Sequence, residues 1–442
     1  MDPKCLFKAL LATNWVLFLW ELYISYRQYK VHRDNEKRPK EVQELISEED
    51  YKKARDYKLD NHQYNFAHSI FCQLVSTVQL ITGYYPILWY YFSGYQFQSV
   101  LFIVVNSIFD VLIDLPWDLY STFVIEEKHG FNKQTIGFYF IDRVKKSVLG
   151  LVLTIPIVFG IEWIVENGGP YFFLYVWLFL SIVIFILLTV YPAFIAPLFD
   201  KYFPLPEGEL RTKIEALASS LQYPLTKLYV VNGSKRSAHS NAYMYGFWKN
   251  KRIVLYDTLL SGDVKEQVLE LYRQSGEKVD LTEADKKRGM NNDEVVAVLG
   301  HELGHWALWH TAINLVITEL NLFFSFAVFA YFYKSPVLFE AFGFHDTPIL
   351  IGLILVFVYV LAIYNQLAQT AVTVHSRSAE FGADEFAVKL GHGQNLIGAL
   401  TKLGVDNLSM PIDDPLYSWC NHTHPPVVER VAAVKRLEVK KQ

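Results

Sequence analysis

The residues best suited to chemistry are two histidines and a glutamate in the stretch His301–His305, which reads His-Glu-Leu-Gly-His. The run 293–306 contains no proline and its apolar residues recur at helical spacing, so it predicts a helix with Asn292 or Asp293 as its N-cap. On such a helix the two histidines leave the same face, where neutral imidazoles can bind one zinc ion. Glu302 lies about 100° round the helix, where a carboxylate can take a proton from an attacking water.

A zinc hydrolase with two histidine ligands needs a third protein ligand, and a segment near the C-terminus supplies one. At about 100° per residue, one polar stripe runs along this predicted helix and contains Asn365, Gln369, Thr373, Arg377, Glu380 and Asp384. We assign Glu380 as the third ligand. Asp384 lies one turn further on and is placed to accept the other ring N–H of a ligating histidine. A surface acidic helix is the alternative, but the upstream motif favours the metal site.

The composition places these residues in a membrane protein. Hydrophobic residues make up 52% of the 442 residues and charged residues only 19%. Seven apolar blocks are long enough to span a bilayer as helices: 6–26, 66–92, 99–124, 147–166, 171–199, 312–333 and 348–374. The net charge of -4 and the lack of a basic patch exclude nucleic acid as an expected partner. The three scattered cysteines predict neither a disulfide framework nor a cysteine metal site.

The basic residues concentrate in alternate loops, which predicts the orientation in the membrane. Residues 125–146 carry five Lys and Arg, whereas the short loops 93–98 and 167–170 carry none. Basic loops of membrane proteins face the cytosol. We therefore expect the N-terminus in the lumen, and the region 200–311 and the C-terminus in the cytosol.

The third apolar block carries polar side chains at membrane depth. Asn106, Asp110, Asp114 and Asp118 recur every four residues and so share one helix face. Charges inside a membrane are costly unless they face protein or water. Because the aspartates repel one another and no Lys or Arg lies within the block, we expect this face to line a water-filled chamber. A conventional bundle with interhelical hydrogen bonds is the alternative.

The soluble insert between the fifth and sixth blocks predicts a small sheet beside the metal-binding helix. Its predicted elements are a helix at 207–221, strands at 227–231, 241–246 and 252–256, and an exposed loop at 273–292. The edge of such a sheet can pair with an extended peptide and hold its scissile bond over the metal.

Several stretches resemble the type I CAAX prenyl endopeptidases, which are integral-membrane zinc proteases of the endoplasmic reticulum. Besides the zinc helix, the matching stretches are Phe123–Asn132, Tyr191–Asp200, Ser237–Phe247, Ser376–Asp384 and His424–Arg430. The resemblance implies a mainly α fold, with seven transmembrane helices around a hydrated chamber and a cytosolic zinc-protease domain that contains the small sheet. The expected divisions are 1–199 for helices 1 to 5 and their cytosolic loops, 200–311 for the catalytic insert, 312–374 for helices 6 and 7, and 375–442 for the segment with the third ligand.

The resemblance also implies one zinc ion per chain, with the ligands His301, His305 and Glu380. It implies that Glu302 is the catalytic base, that Asn241 lies near the substrate backbone, and that His424 and Arg430 line the active site. The two prolines after His424 keep it in an extended backbone. A histidine held there could donate to the oxyanion of a tetrahedral intermediate.

Three functions compete on these grounds. The first is a membrane zinc endopeptidase of the endoplasmic reticulum that cleaves prenylated CAAX proteins or peptides just after the lipid-bearing cysteine, in contact with membrane lipid. The second is a general membrane quality-control zinc protease, which would share every catalytic residue named above. The third is a transporter or receptor with a hydrated core, which leaves the zinc residues unexplained. We therefore expect the first.

Overall fold

The computed structural model describes residues 2–246, 250–277, 281–282, 285 and 288–441. This part of the chain is mainly helical. The helices of the N-terminal half are α1 (Pro3–Asp34), α2 (Glu48–Ile81), α3 (Tyr84–Tyr91), α4 (Gln98–Tyr120), α5 (Ile136–Asn167) and α6 (Phe172–Val190). Those of the C-terminal half are α7 (Glu209–Ser220), α8 (Gly262–Gln274), α9 (Asn292–Ala307), α10 (His310–Phe332), α11 (Pro336–Ala341), α12 (Ile349–Ile354), α13 (Ala362–Lys389), α14 (Gly393–Asp406), α15 (Pro415–Asn421) and α16 (Val427–Lys441).

Five helical stretches in the described residues are long and apolar enough to cross a membrane: Pro3–Asp34, Gln98–Glu126, Ile136–Asn167, Gly169–Leu198 and His310–Phe332. They coincide with the first, third, fourth, fifth and sixth predicted blocks. Large apolar side chains such as Ile182 and Phe185 stand exposed on their outer faces, as expected of a surface that meets lipid. The chain is therefore a multi-pass membrane protein.

The other two predicted spans differ from straight membrane helices. The block 348–374 falls on the stretches Ile349–Val360 and Ala362–Lys389, which are bent by 64° at Leu361 and make a sixth crossing only if they count as one span. The block 66–92 falls on the end of α2 and on α3, which meet at Gly83 in a left-handed conformation with φ of +68°. Seven spans around a chamber stay a prediction.

The zinc-motif helix α9 differs from its predicted bounds at both ends. Its N-cap is Asn291, one residue before the predicted Asn292, because Asn291 and Glu294 cap each other's backbone N–H groups. Trp309 adopts φ of +63° and separates α9 from α10, so the zinc-motif helix does not continue into the membrane-spanning helix. Tryptophan is no helix breaker by type, so the residue type at this turn gave no signal for the break between the two helices.

The four-stranded sheet lies beside α9 and has the strand order β1-β2-β4-β3. Its strands are β1 (Tyr202–Pro204), β2 (Leu225–Val231), β3 (Ala242–Tyr245) and β4 (Lys251–Tyr256). Strands β2 and β4 are parallel, and β3 lies antiparallel to β4 at one edge. The three predicted strands are confirmed, whereas β1 was not expected because it contains a proline, which only an edge strand tolerates.

Apolar side chains of α7, α8, α9 and the sheet form the core that fixes α9 in place. Val295, Leu299 and Leu303 of α9 are fully buried there, one helical turn apart from each other. The predicted helix 207–221 is confirmed as α7 with slightly shorter bounds. The predicted exposed loop 273–292 lies partly outside the described residues, and its residues Asp285 and Met290 are buried, not exposed.

Candidate active site

The zinc motif on α9 meets the third predicted ligand because α9 and α13 pack unusually close. A Cβ added at Gly304 would lie 3.1 Å from the Cα of Ala383 and 3.1 Å from the Cβ of Phe386, closer than most real contacts. Glycine at the fourth position of the motif therefore lets the two backbones approach. That approach brings His305, the next residue, opposite Glu380 of α13.

The two histidines and the glutamate form one compact cluster whose ligand atoms all lie within 4.8 Å of one another. The Nε2 atoms of His301 and His305 are 3.1 Å apart. The carboxylate of Glu380 lies 3.2 Å from His305 Nε2 and 3.5 Å from His301 Nε2. Two ligands of one tetrahedral zinc are about 3.3 Å apart at ordinary Zn–N distances. The donor set of two imidazoles and a carboxylate, with these separations, fits a zinc ion.

A second layer of contacts orients the two imidazoles. Nδ1 of His301 lies 2.9 Å from Oδ1 of Asp384, so it donates its N–H to that carboxylate and leaves the Nε2 lone pair facing the cluster. Nδ1 of His305 lies 2.9 Å from Nδ1 of His310, the first residue of α10. His310 was not singled out in the sequence. Its place beside His305 depends on the turn at Trp309, and a histidine five residues after the motif was the only available signal.

Arg430 of α16 pairs with both carboxylates of α13. It donates two hydrogen bonds to Asp384, from Nε at 2.8 Å and from Nη2 at 2.7 Å. Its Nη1 lies 3.1 Å from Oε2 of Glu380. All three side chains are buried, so this pairing compensates charges that would otherwise be costly.

These contacts keep both carboxyl groups ionised. Burial alone would raise the pKa of Glu380, but hydrogen bonds with His305 and His424 and the charge of Arg430 outweigh it and hold that pKa well below its usual value. Burial likewise opposes ionisation of Asp384, yet hydrogen bonds from Arg430 and His301 lower its pKa. An ionised carboxylate is the form that binds a metal and that fixes the tautomer of a histidine.

The remaining predicted site residues lie around this cluster. Nδ1 of His424 is 3.0 Å from Oε2 of Glu380, and this contact raises the pKa of His424. Desolvation raises the pKa of Glu302, next to His301 on α9. Asn241 is exposed just before β3 and does not contact the cluster in the described residues, but it lines the same cavity as His424 and Arg430.

The fold and this cluster define a membrane metallopeptidase of the His-Glu-x-x-His type. A family model for the CAAX prenyl protease N-terminal region, described as five membrane helices, matches residues 28–201. The model of peptidase family M48 matches residues 204–438. The chain therefore belongs to peptidase family M48 and is a metallopeptidase.

Similar proteins cover the full length of the chain. A CAAX prenyl protease 1 homolog of Caenorhabditis elegans is 72% identical over 440 residues and aligns along 100% of both chains. The human CAAX prenyl protease 1 homolog is 43% identical and aligns over 98% of this chain and 96% of its own length. The crystal structure of Ste24p from S. mikatae superposes with a TM-score of 0.85 at 31% identity, and covers 98% of this chain and 99% of that one.

Proposed function

We propose that this chain is a membrane zinc endopeptidase that removes the three C-terminal residues from prenylated CAAX proteins. The observation that carries the proposal is the convergence of His301, His305 and Glu380 within 4.8 Å, in a chain that matches CAAX prenyl proteases over its whole length. A transporter or receptor would not need this cluster, nor the arginine and aspartate that hold it.

His301, His305 and Glu380 would hold one zinc ion. The chemistry that zinc supplies when bound is polarisation of the scissile carbonyl and activation of water at neutral pH. Glu302 lies beside these residues on α9 without being one of them, so it is free to take the proton of the attacking water and pass it to the leaving amine. His424 is mostly exposed and anchored through one ring nitrogen to Glu380, which leaves its other nitrogen to donate to the developing oxyanion.

Arg430 and Asp384 would act through the residues that they hold. Because both guanidinium edges of Arg430 are engaged by Asp384 and Glu380, we assign Arg430 a positioning role in addition to lining the substrate site. Asp384 fixes the ring of His301. Such outer contacts usually change metal affinity by about 10- to 100-fold.

The substrate backbone would bind along the edge strand β3, next to Asn241. β3 pairs with β4 on one side only, and an extended peptide can add to an exposed edge by main-chain hydrogen bonds. A prenyl chain contributes about 0.8 kcal/mol for each CH₂ that it buries, so lipidated substrates collect at the membrane. A protease attached to membrane helices meets them there at high local concentration.

We further propose the placement of the chain in the cell. Residues 1–199 and 312–374 would form the membrane region of the endoplasmic reticulum, and 200–311 with 375–442 the cytosolic catalytic part, with the N-terminus in the lumen. The charge difference between the loop 125–146 and the short loops supports this orientation. A glycosylation acceptor inserted in the loop 93–98 should be modified and one at the C-terminus should not; the reverse pattern would refute the orientation.

The catalytic roles are tested by separating metal binding from turnover. Glu302→Gln should keep its zinc but cleave a farnesylated CAAX peptide at least 1,000-fold more slowly, about the size of effect seen for essential catalytic groups. His301→Ala should lose both zinc and activity. Normal cleavage by the Glu302→Gln protein would rule out the assigned base, and zinc loss in that variant would make Glu302 a ligand instead.

A further inference from the structure

The active site opens into a cavity of about 690 Å³ that polar and apolar side chains line together. One wall carries the active-site residues His424 and Arg430 together with Asn241 at the sheet edge. The same cavity is lined by polar side chains from the C-terminal part of α1 and from the middle of α2, namely Gln28, His32, Lys58, Asn61, His62 and Asn65. The cavity thus reaches from the catalytic residues to a set of groups that the proposed chemistry does not use.

Lys58 is the half-buried lysine of α2, whereas Lys52 and Lys53 of the same helix are exposed to solvent. In the part of the chain that the structure describes, Nζ of Lys58 has no ion pair or hydrogen bond, and it lies 5.6 Å from the centre of the Tyr57 ring. By contrast, Lys53 on the same helix is exposed and paired with Glu49 at 2.6 Å. Burial lowers the pKa of Lys58, and the more distant charges of Asp413 and Glu126 only partly oppose that effect. An anion that enters the cavity would stabilise the half-buried ammonium group by pairing with it.

The other charged groups in the cavity wall already have partners. Arg430 is held by Asp384, as described above. Asp413 accepts a hydrogen bond from the amide of Gln28, and it lies 3.9 Å from a ring nitrogen of His32 and 3.9 Å from one of His422. Its carboxylate is therefore engaged with neighbouring donors. Among the described lining residues, Lys58 is the cation left to receive an anion from outside.

We propose that Lys58 binds the free C-terminal carboxylate of the substrate and so selects chains that end three residues after the cleaved bond. This inference rests on the proposed function. The three substrate residues after the scissile bond span about 10 Å when extended. They run away from the catalytic residues and end in a negatively charged carboxylate. A prenyl chain placed against Lys58 would bury its ammonium group beside hydrocarbon without an anion, which is costly. The part of the cavity around Lys58 therefore suits the C-terminal segment, which ends in a carboxylate, and the lipid lies on the other side of the scissile bond.

The test compares two farnesylated peptides that differ only in their C-terminus, one with a free carboxylate and one with a carboxamide. Purified full-length protein should cleave the acid with a kcat/KM about 10- to 100-fold higher than the amide, the range expected for one charge-assisted hydrogen bond. Lys58→Gln should lose this preference by a rise in KM for the acid, while kcat stays close to that of the unaltered protein. Lys58→Arg should restore most of the preference, because it restores the cation.

Two controls keep the result interpretable. Lys53→Gln removes an exposed lysine from the same helix and should keep the preference for the acid. Thermal unfolding and zinc content of Lys58→Gln, compared with those of the unaltered protein, show whether the variant is folded and contains its metal. Equal cleavage of acid and amide by the unaltered protein, or a preference that survives in Lys58→Gln, would overturn the inference and leave the proposed function standing. Failure of the unaltered protein to cleave either peptide would instead reject the proposed function.

Discussion

Two helices of this protein, α13 and α4, carry carboxylates stacked on one face, and the carboxylates differ in their exposure to solvent and in their partners. On α13, Glu380 and Asp384 have side chains that are 6% and 1% exposed. On α4, Asp114 and Asp118 have side chains that are 43% and 33% exposed. The first pair is closed off from solvent, and the second pair is not.

The partners differ in the same sense. The buried pair contacts one guanidinium and three imidazoles, with N···O distances between 2.7 and 3.5 Å. On α4, Asp118 pairs with Arg143 and Asp114 lies 3.4 Å from Nε2 of His68. Arg143 lies outside the predicted span 147–166, so the third block has a partner that its own sequence did not reveal. Buried carboxylates thus need several cationic or hydrogen-bonding partners, whereas a solvent-accessible carboxylate needs only one such neighbour.

The largest effect should come from removing the compensating charge of the buried cluster. Arg430→Met leaves Asp384 and Glu380 without their guanidinium and should destabilise the protein by about 3–5 kcal/mol, with loss of zinc. Thermal unfolding and zinc content of the purified protein measure both. Arg436→Met, an exposed arginine on the same helix, is the matched control. Unchanged stability and zinc content in Arg430→Met would show that the cluster does not depend on this charge.

A much smaller effect is expected on α4, because its carboxylates are accessible. In a protein whose native Cys5, Cys72 and Cys420 are replaced by serine, Asp110→Cys should react with a small polar thiol reagent and keep most of its activity. Leu112→Cys, which we place toward lipid, should not react. Protection of Asp110→Cys would favour a dry helix bundle over a water-filled chamber.

Features set by short-range spacing could be predicted from the sequence. His301 and His305 are four residues apart, so they lie on the same face of any helix that contains them. The same spacing places Glu380 and Asp384 on one helix face. The five apolar stretches and the strands β2, β3 and β4 also follow from local patterns. The resemblance to a known family supplied Asn241 and Arg430, which no local pattern marked.

Features that depend on tertiary packing could not be predicted. The left-handed turn at Trp309 and the 64° bend at Leu361 occur without a proline or glycine at the break. The contact of His310 with His305 follows from that turn, and the unpaired state of Lys58 depends on what α1 and the segment that holds Asp413 place around it. The two breaks leave no signal in residue type, and only the surroundings of Lys58 come from elements that are far apart in the chain.

The central claim is that a membrane zinc site acts on lipid-bearing C-termini, and one comparison tests it directly. A single CAAX peptide, with and without its farnesyl group, is given at matched concentration to the purified protein, and kcat/KM is measured for both. We expect a strong preference for the farnesylated peptide that disappears in Glu302→Gln because turnover itself is lost. Equal kcat/KM for the two peptides would contradict prenyl recognition and favour a general membrane quality-control protease.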